Sequence, residues 1–133
     1  MSLSTNRPTD TAGSGPGEID YRLERARVLN EYRSGDLDRN QVCDAQPELH
    51  RNAEFCGTPT GDMCPVCDEY ELVHVTYVFG PRLPSSGRCV TTKAEMKRLR
   101  EKAGNYTGYV VEVCKGCGWN HLAKTYLLRP IQP

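Results

Sequence analysis

The 133-residue chain has no apolar run near the roughly 20 residues that cross a bilayer as a helix; its longest, around 75–79 and 110–113, have only strand length. The first eight residues hold no apolar core of a signal peptide. Both absences place the chain in the cytoplasm. Charge of one sign is also missing, since 17 Lys and Arg balance 17 Asp and Glu. No overall basic field exists to hold the protein on nucleic acid or an anionic membrane, so any such contact must be local. The length, with 38% hydrophobic and 26% charged residues, supports one modest core and excludes a two-domain enzyme of usual size.

Seven cysteines are many for a cytosolic chain, and an odd number argues against a closed disulfide framework. Residues 1–17, rich in Gly, Pro, Ser and Thr, read as a disordered tail. From Glu18, Ile19, Leu23, Ala26 and Leu29 recur at helical spacing, with Tyr21, Val28 and Tyr32 widening the apolar side. This predicts a helix over 18–33, ended by Ser34-Gly35. Asp38 and Gln41 have capping-box spacing ahead of a short helix over 39–44. Pro47 suits the first turn of a third helix, with Leu49, Ala53 and Phe55 on its buried side up to Gly57. Three short helices can resemble a helix-turn-helix. Residues 18–60, however, hold nine acids against six Arg, which favours a layer covering one face of a sheet over a DNA-binding unit.

From Met63 the pattern becomes β: a strand over 70–80, a loop over 81–87, then strands over 106–113 and 119–128. A helix over 91–103 interrupts them, with Thr92, Met96, Leu99 and Ala103 on one side and Lys93, Lys97 and Arg100 on a flank. The expected fold is α+β: an N-terminal three-helix layer (18–60), then a zinc-ribbon-like antiparallel sheet with one inserted helix (61–130), in one domain over 18–130.

Cys64-Pro65-Val66-Cys67 and Cys114-Lys115-Gly116-Cys117 are the strongest chemical signal. A two-residue gap lets both thiolates of a tight knuckle face one ion, and two knuckles complete a four-sulfur shell for one structural Zn²⁺. The 46 residues between the pairs exceed the usual ribbon spacing, an excess that the loop and inserted helix account for. Iron is the competing metal. A thiol–disulfide role is the competing chemistry, but there Cys-Pro-x-Cys follows a strand and opens a helix, whereas here a strand follows the motif. Cys43, between Val42 and Ala45, reads as a small buried apolar residue, with a second site or ligand replacement as the alternative; Cys56 and Cys89 carry no pattern. A four-sulfur site leaves no open position for water, and no nucleophile stands beside a base, so hydrolytic catalysis has no support.

At Val42-Cys-Asp-Ala45, Gly57, Cys64-Pro-Val-Cys67, Val78-Phe-Gly80, Val111-Glu-Val-Cys114 and Cys117-Gly-Trp-Asn-His-Leu122 the chain resembles an uncharacterised family of small actinobacterial cytosolic proteins, a domain of unknown function. The resemblance covers roughly 18–128. It implies a helical front end and a zinc-ribbon-like back end, and no activity.

Charge is unevenly spread: 91–133 holds eight bases and three acids, while 18–90 carries a net negative charge. Lys93, Lys97 and Arg100, with Lys115, Trp119, Asn120 and His121 displayed at the second knuckle, form a candidate phosphate-and-stacking surface. The expectation is a non-enzymatic zinc-binding accessory protein docking on RNA polymerase, ribosome or nucleic acid. The alternatives are a zinc-stabilised protein–protein adaptor, binding through acids such as Asp36, Asp38 and Asp44, and a thiol-based redox or metal sensor.

Overall fold

The computed structural model describes residues 17–102 and 105–128. The expected tail over 1–17 therefore lies outside the described residues except for Gly17, as does Ala103. Four helices and a six-stranded antiparallel sheet make an α+β fold. In chain order these are β1 (Ile19–Asp20), α1 (Arg22–Arg33), α2 (Arg39–Val42), α3 (Pro47–Cys56), β2 (Thr58–Met63), β3 (Glu71–Phe79), β4 (Arg88–Val90), α4 (Lys93–Glu101), β5 (Tyr106–Val113) and β6 (Asn120–Leu128). Among the described residues, no helix is long and apolar enough to cross a membrane.

The sheet runs β1-β6-β5-β3-β2, with β4 also on β3. Alternation along β3 sends Leu72 and Val78 to one face and Val73, Val75 and Tyr77 to the other. On the first face, Leu72 packs with Leu29 of α1, Val42 of α2 and Trp119, while Val78 packs with Leu99 of α4, Tyr106 and Leu128. On the second, Val73, Val75 and Val113 meet Ala53 of α3. The three N-terminal helices thus flank the sheet on both sides and do not form a single layer over one face.

Local chemistry sets the helix ends. Asp38 accepts from Gln41 N at 3.1 Å while the Gln41 side chain accepts from Asp38 N at 3.0 Å, the reciprocal pair that the sequence spacing implied. Pro47 opens α3, and the Thr92 hydroxyl caps α4 by accepting from Glu95 N. Helix α1 starts at Arg22 rather than at Glu18, because Ile19 and Asp20 pair with Thr125 and Lys124 as an edge strand. Tyr21 N then donates to the carbonyl of Ala123, the extra residue of a β-bulge where the β5–β6 register shifts.

That start changes which side of α1 is buried. Leu29 is buried, with Val28 and Tyr32 packed beside it, whereas Leu23 is 89% exposed. Phe55 is also outside the core, at 79% exposure, because roughly 100° per residue puts it about 200° around α3 from buried Ala53. Three short strands were not expected from the sequence. Thr58-Pro-Thr-Gly-Asp-Met63 reads as a turn, yet an edge strand tolerates Pro59 and a Gly61 at φ +88°.

One charged residue lies deep in this packing. Glu112, 7% exposed, accepts from Arg25 Nε at 2.7 Å and from the Trp119 indole N–H at 2.6 Å. A carboxylate there is tolerable only because it is paired and hydrogen-bonded. His74 and His121 stand opposite Glu112 on the two flanking strands. Burial lowers the His74 pKa below the ordinary 6.5, with Lys124 and Arg25 adding to the effect and Glu112 and Asp62 opposing it.

Two outcomes follow from this cluster. Arg25→Met strands the Glu112 carboxylate and should cost about 3 kcal/mol in a urea unfolding titration. His74 is held neutral in the folded chain, so below pH 6.5 the unfolded chain binds more protons. Its contribution is complete above that pH and is lost as pH falls through the lowered folded value. Stability should decline on that acid side, and His74→Phe should flatten the slope; an unchanged slope overturns the assignment.

Candidate metal centre

The two Cys-x-x-Cys knuckles lie at one end of the sheet because β3 and β5 are antiparallel. Val73 opposite Val113 sets the start of β3 beside the end of β5, and the knuckles extend from those two points. In the first, Cys64 N donates to Tyr70 O and Asp68 N to Cys64 O. In the second, Cys114 N donates to Trp119 O and Gly118 N to Cys114 O. The residue four after each first cysteine takes left-handed backbone, Asp68 at φ 58° and Gly118 at φ 92°. Gly118 needs its missing side chain as well, since a Cβ there would lie 3.2 Å from the Cys43 carbonyl oxygen and 3.3 Å from His50 Nε2. The Tyr70 ring of the first knuckle covers Gly116 of the second.

The ligand atoms of Cys64, Cys67, Cys114 and Cys117 all lie within 4.8 Å of one another, close enough to bind one metal ion. Across the knuckles, Cys64 Sγ is 3.7 Å from Cys117 Sγ and Cys67 Sγ is 3.6 Å from Cys114 Sγ. A tetrahedron with metal–sulfur bonds of about 2.3 Å has sulfur–sulfur edges of roughly 3.8 Å, so the spacing fits a zinc-sized ion. Backbone donors are in place for thiolate charge: Val66 N and Cys67 N on Cys64 Sγ, Cys117 N on Cys114 Sγ, and Trp119 N on Cys117 Sγ, at 3.3–3.5 Å. Burial pushes the Cys64 and Cys117 thiols up, so a cation that binds here displaces protons.

The structure redistributes the other candidate residues. Trp119 is not displayed: it is fully buried, its ring packed with Leu29, Val42 and Leu72 and its N–H committed to Glu112, which removes it from any stacking surface. Asn120 is half-buried and donates to Asp44 Oδ1 at 3.0 Å, tying the second knuckle to the segment after α2. His121 stacks on Trp119 with ring centroids 6.0 Å apart. Lys115 is exposed at the tip of the knuckle. Lys93, Lys97 and Arg100 lie elsewhere, because α4 packs on Tyr106 and Leu128 at the far end of the sheet. The eight residues of β5 put roughly 25 Å between the two groups, so they do not form one surface.

Cys43 packs against the cluster around Leu29 and Trp119, as a small apolar residue would. It is half-buried, and its thiol meets Cys117 Sγ at 3.3 Å. No spacing motif marks Cys43, and only the surplus cysteine count hinted at it. Glu112 was not singled out from the sequence; its place as a lone acid inside Val110-Val111-Glu112-Val113 is the signal that could have pointed to it. Cys56 and Cys89 neighbour each other between α3 and β4, where burial and then the Cys56 thiol push Cys89 up to about 12.

Comparison with known proteins agrees with the family resemblance. Residues 16–132 match the model of a family of unknown function, DUF5318. The chain belongs to this family. It is 40% identical over 118 residues to the uncharacterized proteins Mb0050 of Mycobacterium bovis and Rv0049 of Mycobacterium tuberculosis, covering 86% of this chain and 86% of each relative. No solved structure matches the chain.

The centre makes a direct prediction. Wild-type protein should bind one equivalent of metal, and chelation should shift Trp119 emission to the red as the core around it opens. Cys64→Ser and Cys114→Ser should bind at least about 10-fold more weakly and show the same red-shifted emission without chelator. A single mutant that stays folded with full metal affinity overturns this ligand set.

Proposed function

We propose that the protein is a non-enzymatic accessory factor whose Cys64, Cys67, Cys114 and Cys117 hold one structural Zn²⁺, and which docks on an anionic partner in transcription or translation: RNA polymerase, ribosome or nucleic acid. The zinc reading rests on four sulfurs at tetrahedral spacing with no position left for water or substrate. The knuckle arrangement supports a zinc-ribbon-like unit, with one knuckle leading into β3 and the other joining β5 to β6.

The docking reading rests on the far end of the sheet. Lys93, Lys97, Arg98 and Lys102 are exposed on or just after α4. Of the two acids on that helix, Glu95 is paired with Arg88. Arg100 and Lys124 stand over the Tyr126 ring, 5.7 and 5.9 Å from its centroid, and neither forms an ion pair among the described residues. Uncompensated cations over an aromatic ring suit phosphate oxygens. The adaptor reading draws less support, since Asp36 accepts from Ser34, Asp38 caps α2 and Asp44 accepts from Asn120. Those acids hold the local fold.

Titrating zinc-loaded protein with labelled single-stranded RNA and duplex DNA across salt tests the reading. Replacing Lys93, Lys97 and Arg100 together with Gln should weaken single-strand binding and flatten the log K against log salt slope by about 2, at roughly 0.7 for each phosphate no longer neutralised. Lys115→Gln, at the opposite end, should change little. Absence of binding to either nucleic acid, together with no polymerase or ribosome retained in a pull-down, rejects the proposal.

A further inference from the structure

The metal centre contains more sulfur than a four-ligand shell uses. Cys43 Sγ lies 3.3 Å from Cys117 Sγ, oriented to donate its S–H. That separation is no longer than the 3.6 and 3.7 Å edges between the ligands themselves. Three hydrogen bonds hold the segment around Cys43 there. Its N–H donates to Arg39 O at 2.8 Å, and Ala45 N donates to Gly118 O at 3.0 Å. Asn120 Nδ2 reaches Asp44 Oδ1 at 3.0 Å, and the Cys43 carbonyl presses on the space that a side chain at Gly118 would fill. Cys43 is thus held to the end of α2, and the residues that follow it are fastened to the second knuckle.

We propose that Cys43 is an exchangeable fifth ligand, taking the corner of the shell that Cys117 leaves. The step would balance without an oxidant: with a metal bound, Cys43 would take the position that Cys117 gives up, and the Cys43 thiol proton would pass along the S–H···S contact to the Cys117 sulfur. Net charge at the centre is unchanged. Among the described residues, Cys117 is the one ligand with such a stand-in, because the other sulfur contacts run between ligands. While Cys43 and Cys117 trade places, one corner of the shell would be transiently open, and that is where an outside thiol or chelator would enter. The inference rests on the four-cysteine metal reading.

Cobalt(II) reports the exchange, since its absorption separates a four-sulfur from a three-sulfur shell. In the full chain, Cys117→Ser should keep the four-sulfur spectrum, whereas Cys43→Ser/Cys117→Ser should show three sulfurs and bind on the order of 100-fold more weakly. Cys114→Ser, with no stand-in, should resemble the double variant. If Cys117→Ser does not fold, Cys43→Ser alone decides: zinc release to a competing chelator should be slower than from wild type, and an unchanged rate overturns the proposal. Tight wild-type binding with identical spectra for Cys117→Ser and the double variant overturns exchange alone. Failure of wild type to take up cobalt overturns both readings.

Discussion

Everything at the knuckle end depends on bringing two cysteine pairs, separated by 46 residues, to within 4.8 Å of one another. A metal alone would have to close a long loop against chain entropy, but that cost grows only with the logarithm of loop length. The sheet makes the closure productive. With Val73 opposite Val113, the start of β3 and the end of β5 are already neighbours, and the inserted β4 and α4 extend the chain elsewhere without disturbing that register. A slip by one residue would turn Val73 and Val113 away from α3 and separate the sulfurs together. The hydrophobic register and the metal geometry therefore select the same pairing.

Glu112 adds a second, orthogonal constraint. Apolar packing of α1 on the sheet is non-directional, and a helix with one buried leucine could rotate or slide. The carboxylate instead requires the Arg25 guanidinium at 2.7 Å and the Trp119 N–H at 2.6 Å at once. Trp119 follows the last ligand by two residues, so one acid couples the orientation of α1 to the second knuckle. Buried polar groups of this kind add little net stability, because desolvation offsets attraction. Here the specific consequence is positional, since the loop after α1 carries the chain to α2 and so to Cys43.

How much of this was legible in the sequence follows from which interactions are local. The Asp38–Gln41 cap, Pro47 at the start of α3, the bounds of β5 and the two Cys-x-x-Cys pairs that cluster are set by spacing within a few residues, and these were readable. Leu23 and Trp119 were misplaced because their exposure depends on partners far along the chain, whereas Phe55 and Ala53, two residues apart on one helix, could not share a buried face. Ile19 pairs with Thr125, which shifts the phase of α1, and Trp119 is drawn inward by Glu112 and by helices nearly a hundred residues upstream. Lys115 and α4 looked adjacent only because strand direction cannot be seen in composition.

The resulting division of charge and rigidity bears on what the molecule can do. Its metal end is over-determined: knuckles, Gly118, the Asp44–Asn120 bond and the Glu112 pairings all constrain one another. Its far end presents cations on a helix held by Leu99, Met96, the Thr92 cap and the Glu95–Arg88 pair. A rigid end below a basic face would suit the proposed docking better than chemistry at the cysteine cluster. Cys43 is the exception at the rigid end. A four-cysteine metal shell would have no use for a fifth thiol at 3.3 Å, and apolar filling would have served packing equally well. Its placement gives that end one degree of freedom, exchange of a sulfur, that the rest of the architecture is built to deny.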